Sequence, residues 1–116
     1  MGMPSVPLSV VETPQFLRQA VDVWTEAERA EFVDFIARNP EAGDVIPDTS
    51  GVRKVRWRRQ GMGKRGGARV IYFYYDPRTP LFLLMVYAKA VREDLTPKAK
   101  KAVAEFAARI KRAVRE

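Results

Sequence analysis

Between Val52 and Lys89 the chain reads VRKVRWRRQGMGKRGGARVIYFYYDPRTPLFLLMVYAK. Val52 to Arg58 alternates, with Val55 and Trp57 on one face and Lys54, Arg56 and Arg58 on the other, the period of a half-buried strand. Gln60 to Gly67 is rich in glycine and reads as a turn. Ala68 to Tyr75 is β-branched and aromatic, Asp76-Pro77-Arg78-Thr79-Pro80 is a second turn, and Leu81 to Lys89 is a second apolar strand. Three consecutive strands with short connections predict an antiparallel meander over 52–58, 68–75 and 81–89.

Helical spacing takes over on either side. Phe16, Leu17, Ala20, Val21 and Trp24 predict a first helix over about residues 14–23. Thr25-Glu26-Ala27-Glu28 reads as a capping box that opens a second helix, which Asn39-Pro40 stops after Arg38. The two should form a helical hairpin. Glu41 to Gly51 reads as a loop, and Leu8 to Val11 as a possible short edge strand. Thr96-Pro97 opens a last helix with an apolar stripe of Val103, Phe106, Ala107, Ile110 and Val114. The layout predicts one α+β domain over residues 1–116: a helical hairpin packed on a small antiparallel sheet, with a C-terminal helix. Trp57, Phe35 and Phe106 are expected in one core.

The 116 residues contain neither Cys nor His. That excludes disulfides, thiolate nucleophiles, imidazole acid–base chemistry and Cys- or His-ligated metal sites. Leu81 to Ala88, the longest apolar run, is too short to span a bilayer. Met1 to Val11 lacks the features of a secretory signal, so a cytoplasmic location is the default expectation.

Charge is unevenly spread. The net charge is +7, yet residues 1–48 hold three basic and nine acidic side chains. Residues 49–75 hold eight basic side chains and no acid. Such a block repels itself unless an anion meets it, and nucleic acid is favoured over membrane. Gly61-Met62-Gly63-Lys64-Arg65-Gly66 matches a dinucleotide fingerprint by letter only, because a strand rather than a helix follows it. A loop presenting Lys64 and Arg65 to phosphate is the better reading, beside a plain flexible turn. Arg53, Arg58, Arg59, Lys64 and Arg65 are candidate RNA contacts. Arg69 opens the next strand and should converge with Lys54 and Arg56. Of the aromatics, Tyr72 is a candidate to stack a base, although most belong to a core. Lys89 ends an apolar strand and needs water or an anion for its ammonium. No carboxylate cluster suits a catalytic metal, and no cofactor is expected. RNA carries its own 2′-OH nucleophile, so cationic side chains that orient it and stabilise the transition state could cleave it without metal.

Asn39-Pro-Glu-Ala-Gly-Asp-Val-Ile-Pro, Gly51-Val-Arg-Lys-Val-Arg-Trp, Gly61-Met-Gly-Lys-Arg-Gly-Gly-Ala-Arg-Val-Ile-Tyr, Val86-Tyr-Ala-Lys and Asp94-Leu-Thr together resemble the RelE/HigB toxins of bacterial type II toxin–antitoxin systems. The resemblance spans about residues 14–114. It implies a ribosome-dependent mRNA endonuclease that stops translation and leaves a 2′,3′-cyclic phosphate and a 5′-OH. Its partners would be the ribosome with its mRNA and an antitoxin, expected to be a helix-turn-helix DNA-binding protein. In such toxins a Lys-x-Lys pair faces the scissile phosphate, and Lys54-Val55-Arg56 matches it with Arg in second place. The Arg that opens the next strand matches Arg69, and the basic residue that ends the last strand matches Lys89. A second cation expected beside it falls on Ala90, and the family's C-terminal Tyr falls near Thr96. The proton acceptor is therefore open: Lys54 is the first candidate, with Tyr87 or Tyr72 in reserve. Two other readings share the fold or the charge: a ParE-like toxin that poisons gyrase, and an RNA-binding module without catalysis.

Overall fold

The structure, a computed structural model, describes residues 7–58, 67–91 and 94–115. Its elements follow the expected order, with one short strand added at Asp44–Val45. Strand β1 (Val10–Glu12) leads into helices α1 (Pro14–Ala20) and α2 (Glu26–Arg38). Strands β2 (Asp44–Val45), β3 (Arg53–Trp57), β4 (Ala68–Phe73) and β5 (Leu81–Ala88) follow, and helix α3 (Pro97–Arg115) closes the fold.

Local chemistry fixes the helix starts. The Thr13 hydroxyl accepts from the Phe16 N–H, with Pro14 at the first helical position. Thr25 and Glu28 form the reciprocal capping box, satisfying two amides that would otherwise lack partners. The Thr96 hydroxyl accepts from the Ala99 N–H at 3.1 Å and so caps α3. Helix α1 ends at Ala20 rather than near residue 23, where the Asp22 and Val23 amides bond three residues back, to the Gln19 and Ala20 carbonyls, in a tightened last turn.

The five strands form one sheet in the order β1-β5-β4-β3-β2. The β3–β4–β5 meander is antiparallel as expected, while β1 pairs with β5 in parallel, which makes the sheet mixed. Strand β2, in a segment read as loop, pairs Asp44 with Lys54 and Val45 with Arg53. Two residues give too little periodicity to register as a strand.

Each face of the sheet carries its own core. Phe16, Trp24, Phe32 and Ile36 pack with Val70, Tyr72, Leu81 and Leu83 on the side of α1 and α2. Val103 and Ala107 of α3 pack with Ile71, Phe73, Leu84 and Met85 on the other. The expectation of one core for Trp57, Phe35 and Phe106 is corrected accordingly. Trp57 meets Phe35 at 4.7 Å between ring centroids in the first core. Phe106 meets Phe82 at 5.2 Å in the second. Strand β4 is buried on both faces, so its apolar pattern is continuous and cannot assign sides.

A bulge in β5 decides which residues face α3. Ile71 pairs with Met85, but Tyr72 pairs with Leu83, leaving Leu84 as the extra residue. Without it, simple alternation from Leu81 and Leu83 would send Tyr87 to the α1–α2 side. With it, Tyr87 lands opposite Arg69, on the α3 side.

Candidate active site

On the α3 face, the Trp57–Ala68 end of the meander gathers cations into a row. Arg56 lies directly opposite Arg69, and Arg69 lies opposite Tyr87. The neighbouring row on the same face runs Asp44, Lys54, Ile71, Met85. Helix α3 covers the far end of this face, where Phe106 meets Phe82 and the Lys111 ammonium sits 6.0 Å from the Tyr75 ring centroid. Its first turn and lead-in lie beside Lys54. The Arg56–Arg69–Tyr87 row is therefore one step beyond the start of α3.

Arg69 is the unusual member. It is only 7% exposed. Among the described residues it has no carboxylate partner, and its hydrogen bond to the Ala68 carbonyl is long at 3.4 Å. A guanidinium drawn this far from water without a counter-charge is costly unless an anion arrives to meet it. Arg56, directly across, is exposed and likewise has no carboxylate partner among the described residues. Lys89 follows β5, its amide bonded to the Gly67 carbonyl at 3.0 Å, and its side chain is half-buried. Two arginines opposite each other on one face of the sheet suit one anion with several acceptor oxygens, which a phosphodiester supplies.

Lys54 is differently placed. Its Nζ lies 3.4 Å from Asp94 Oδ1, which also accepts the Leu95 N–H at 2.9 Å. That backbone bond, then the Lys54 ammonium, holds the Asp94 carboxyl below the ordinary carboxylate range. The pair bridges a cleft of about 600 Å³ between β2, β3 and the lead-in to α3, whose walls include Val45, Ile46, Leu95 and Pro97. Asp94 is the residue that spacing alone did not single out. Its one signal is the Asp94-Leu95-Thr96 motif immediately before a helix cap.

Other expected contacts lie elsewhere. Tyr72 is fully buried on the α1–α2 side, its hydroxyl accepting from the Gly43 N–H and donating to the Pro40 carbonyl, both at 2.8 Å. Burial pushes its phenol above the usual range. It is a strut between the sheet and the loop after α2, and neither base stacking nor proton transfer is open to it. A Cβ on Gly43 would come within 2.9 Å of the Tyr72 ring and 2.8 Å of the Lys54 carbonyl, so only glycine allows this approach. Arg53 also points to that side and donates to the Gly43 carbonyl at 2.7 Å. Arg58 lies past the end of β3 and turns to α2, where it pairs with Glu31 at 3.4 Å and sits 5.3 Å from the Trp57 ring centroid. Arg59, Lys64 and Arg65, with residues 60–66 of the glycine-rich turn, lie outside the described residues. Tyr87 is buried on the α3 face, beside Arg69.

A family model described as "RelE toxin of RelE / RelB toxin-antitoxin system" matches residues 25–116. The chain belongs to the RelE toxin family. The match runs from the cap of α2 through α3 and so includes every residue of the cationic row. As a member of that family, this RelE-type chain is a toxin that pairs with an antitoxin. Among the described residues, no group of three or more carboxylates comes together to hold a metal ion, and no helix is long and apolar enough to cross a membrane.

Proposed function

We propose that this RelE-family toxin is a ribosome-dependent endoribonuclease that cuts mRNA by metal-independent attack of a 2′-OH on the adjacent phosphorus. The observation that supports it most is the buried Arg69, faced by Arg56 and paired with no carboxylate among the described residues. A gyrase poison of the same fold, which binds a protein, has no need of converging cations on this face. RNA cleavage does, because negative charge builds on the phosphoryl oxygens as the 2′-oxygen attacks.

In this reading Arg56 and Arg69 hold the non-bridging oxygens. Lys89, two residues after Tyr87 at the end of β5, protonates the departing 5′-oxygen, with Tyr87 lining the same wall. Lys54 adds positive charge at the edge of the site. The products are a 2′,3′-cyclic phosphate and a 5′-OH. The ribosome supplies the ordered mRNA strand that a small, open face cannot itself orient. The antitoxin is proposed to be an acidic, helix-turn-helix DNA-binding partner that covers the cationic row or prevents entry to the ribosome.

Cleavage should persist when a chelator is added in slight excess over trace transition metals, with the Mg²⁺ that ribosomes require left in place. The measurement is the single-turnover rate on programmed ribosomes. A rate that collapses and returns specifically with Mn²⁺ or Zn²⁺ would contradict the metal-free reading.

A further inference from the structure

On the reading that the toxin cleaves RNA, we infer that Asp94 is the general base that takes the proton from the attacking 2′-OH. This face offers few proton acceptors. Arginine cannot lose its proton at working pH, and an ammonium has no lone pair to accept one. Lys54, bound to Asp94, is held as a donor. Tyr72 is sealed on the opposite side of the sheet, and Tyr87 is a phenol, a group that ordinarily keeps its proton up to about pH 10. What remains among the described residues at this end of the face is two carboxylates, Asp44 and Asp94, both on the cleft that Lys54 borders.

Asp94 is the better placed of the two. The Leu95 N–H and the Lys54 ammonium both bind Oδ1, which fixes the carboxylate and leaves Oδ2 with no hydrogen bond among the described residues. The side chain of Asp94 is 73% exposed, so a strand of RNA can reach it. Lys54 and Arg56 are two residues apart on one face of β3, about 6.6 Å along the strand. A phosphate gripped at Arg56 and Arg69 therefore lies one step along β3 from the Lys54–Asp94 pair. The order Asp94, Lys54, Arg56, Arg69, Lys89 sets a base, charge stabilisers and an acid along one end of the face.

The step balances without any further reagent. The 2′-O–H proton passes to Asp94 Oδ2, the 2′-oxygen bonds to phosphorus, and the P–O5′ bond breaks. The 5′-oxygen takes a proton from Lys89, and Asp94 and Lys89 return to their starting states by exchange with water.

The groups that face Asp94 are Lys54 from β3, Lys100 from α3 and Asp44 from β2. The Leu95 N–H first, then Lys54 and more weakly Lys100, hold its carboxyl below the ordinary carboxylate range, so it is an unprotonated acceptor throughout the neutral range. A lysine or tyrosine base would instead gain activity about tenfold per pH unit towards its own value near 10.

The test is single-turnover cleavage by the full chain on saturating programmed ribosomes between about pH 6 and 8.5. The wild-type rate should be level across that range. Asp94→Asn should lower it by about 10²–10⁴ with unchanged ribosome affinity and an unchanged melting temperature. Asp94→Glu should retain part of the activity, and Asp44→Asn should stay within about threefold of wild type. A wild-type rate that climbs with pH, or an Asp94→Asn rate within about threefold of wild type, overturns the assignment while leaving the endonuclease intact. No cleavage by the wild-type chain at any pH overturns the endonuclease reading itself.

Discussion

Replacing Arg69 with alanine should slow single-turnover mRNA cleavage by about 10²–10³, the cost of removing one preorganised donor from a developing oxyanion. Arg69 lies in β4 between Arg56 and Tyr87, and its guanidinium has no carboxylate among the described residues to neutralise it. An interaction that strengthens as charge builds lowers the barrier, whereas one that is equal in ground and transition states changes only binding. Ribosome affinity should therefore change little, since the remaining cations of the chain still supply the diffuse attraction to RNA. Arg69→Lys should recover only part of the rate, because a point charge replaces a planar fork. Arg69 sits in a central strand, so the comparison needs variants that melt as the wild type does. A folded Arg69→Ala protein that cuts at the wild-type rate would place the chemistry elsewhere. It would also revive the reading of an RNA-binding face without catalysis.

Phe32→Ala should destabilise the fold by about 3–5 kcal/mol, the usual cost of emptying a buried aromatic site. Phe32 is fully buried on α2 and meets three other rings. Trp24 stacks on it at 5.3 Å between centroids, Trp57 approaches edge-on at 5.4 Å, and Phe35 lies at 6.5 Å. Through Trp57 this cluster fixes β3, and so the strand that carries Lys54 and Arg56. The loss is large against a total stability of about 5–15 kcal/mol for a small domain. Val21→Ala, at a side chain 78% exposed, should change stability by less than about 0.5 kcal/mol. Urea midpoints of the two variants check both values, and a Phe32→Ala midpoint equal to that of wild type would refute the packing described.

The parts legible in the sequence were those set by near neighbours. The capping box at Thr25–Glu28, the Thr96–Pro97 start of α3 and the meander strands each depend on residues a few positions apart. Alternation along β3 correctly set Lys54 and Arg56 on one face. It failed at Arg58, because the strand ends at Trp57 and the side chain is free to turn towards Glu31. Tyr72 could not be told from its aromatic neighbours, since its role comes from Pro40 and Gly43, which the fold brings to it from about 30 residues away. The bulge at Leu84 is written in the pairing of two strands, not in either strand alone. Asp94 joins Lys54 across 40 residues of sequence, a contact that no local pattern encodes.

The proposed cut at the Arg56–Arg69 face runs through the RNA's own 2′-OH. Its most direct test is the chemistry of the ends produced when the pure toxin meets ribosomes translating a defined message. New 5′ ends should carry a free hydroxyl, ready for a kinase to label without prior phosphatase treatment. The matching 3′ ends should be cyclic phosphates, and both should be absent without ribosomes. Intact message under translating conditions, or cuts that leave a 5′-phosphate and a 3′-OH, would contradict it.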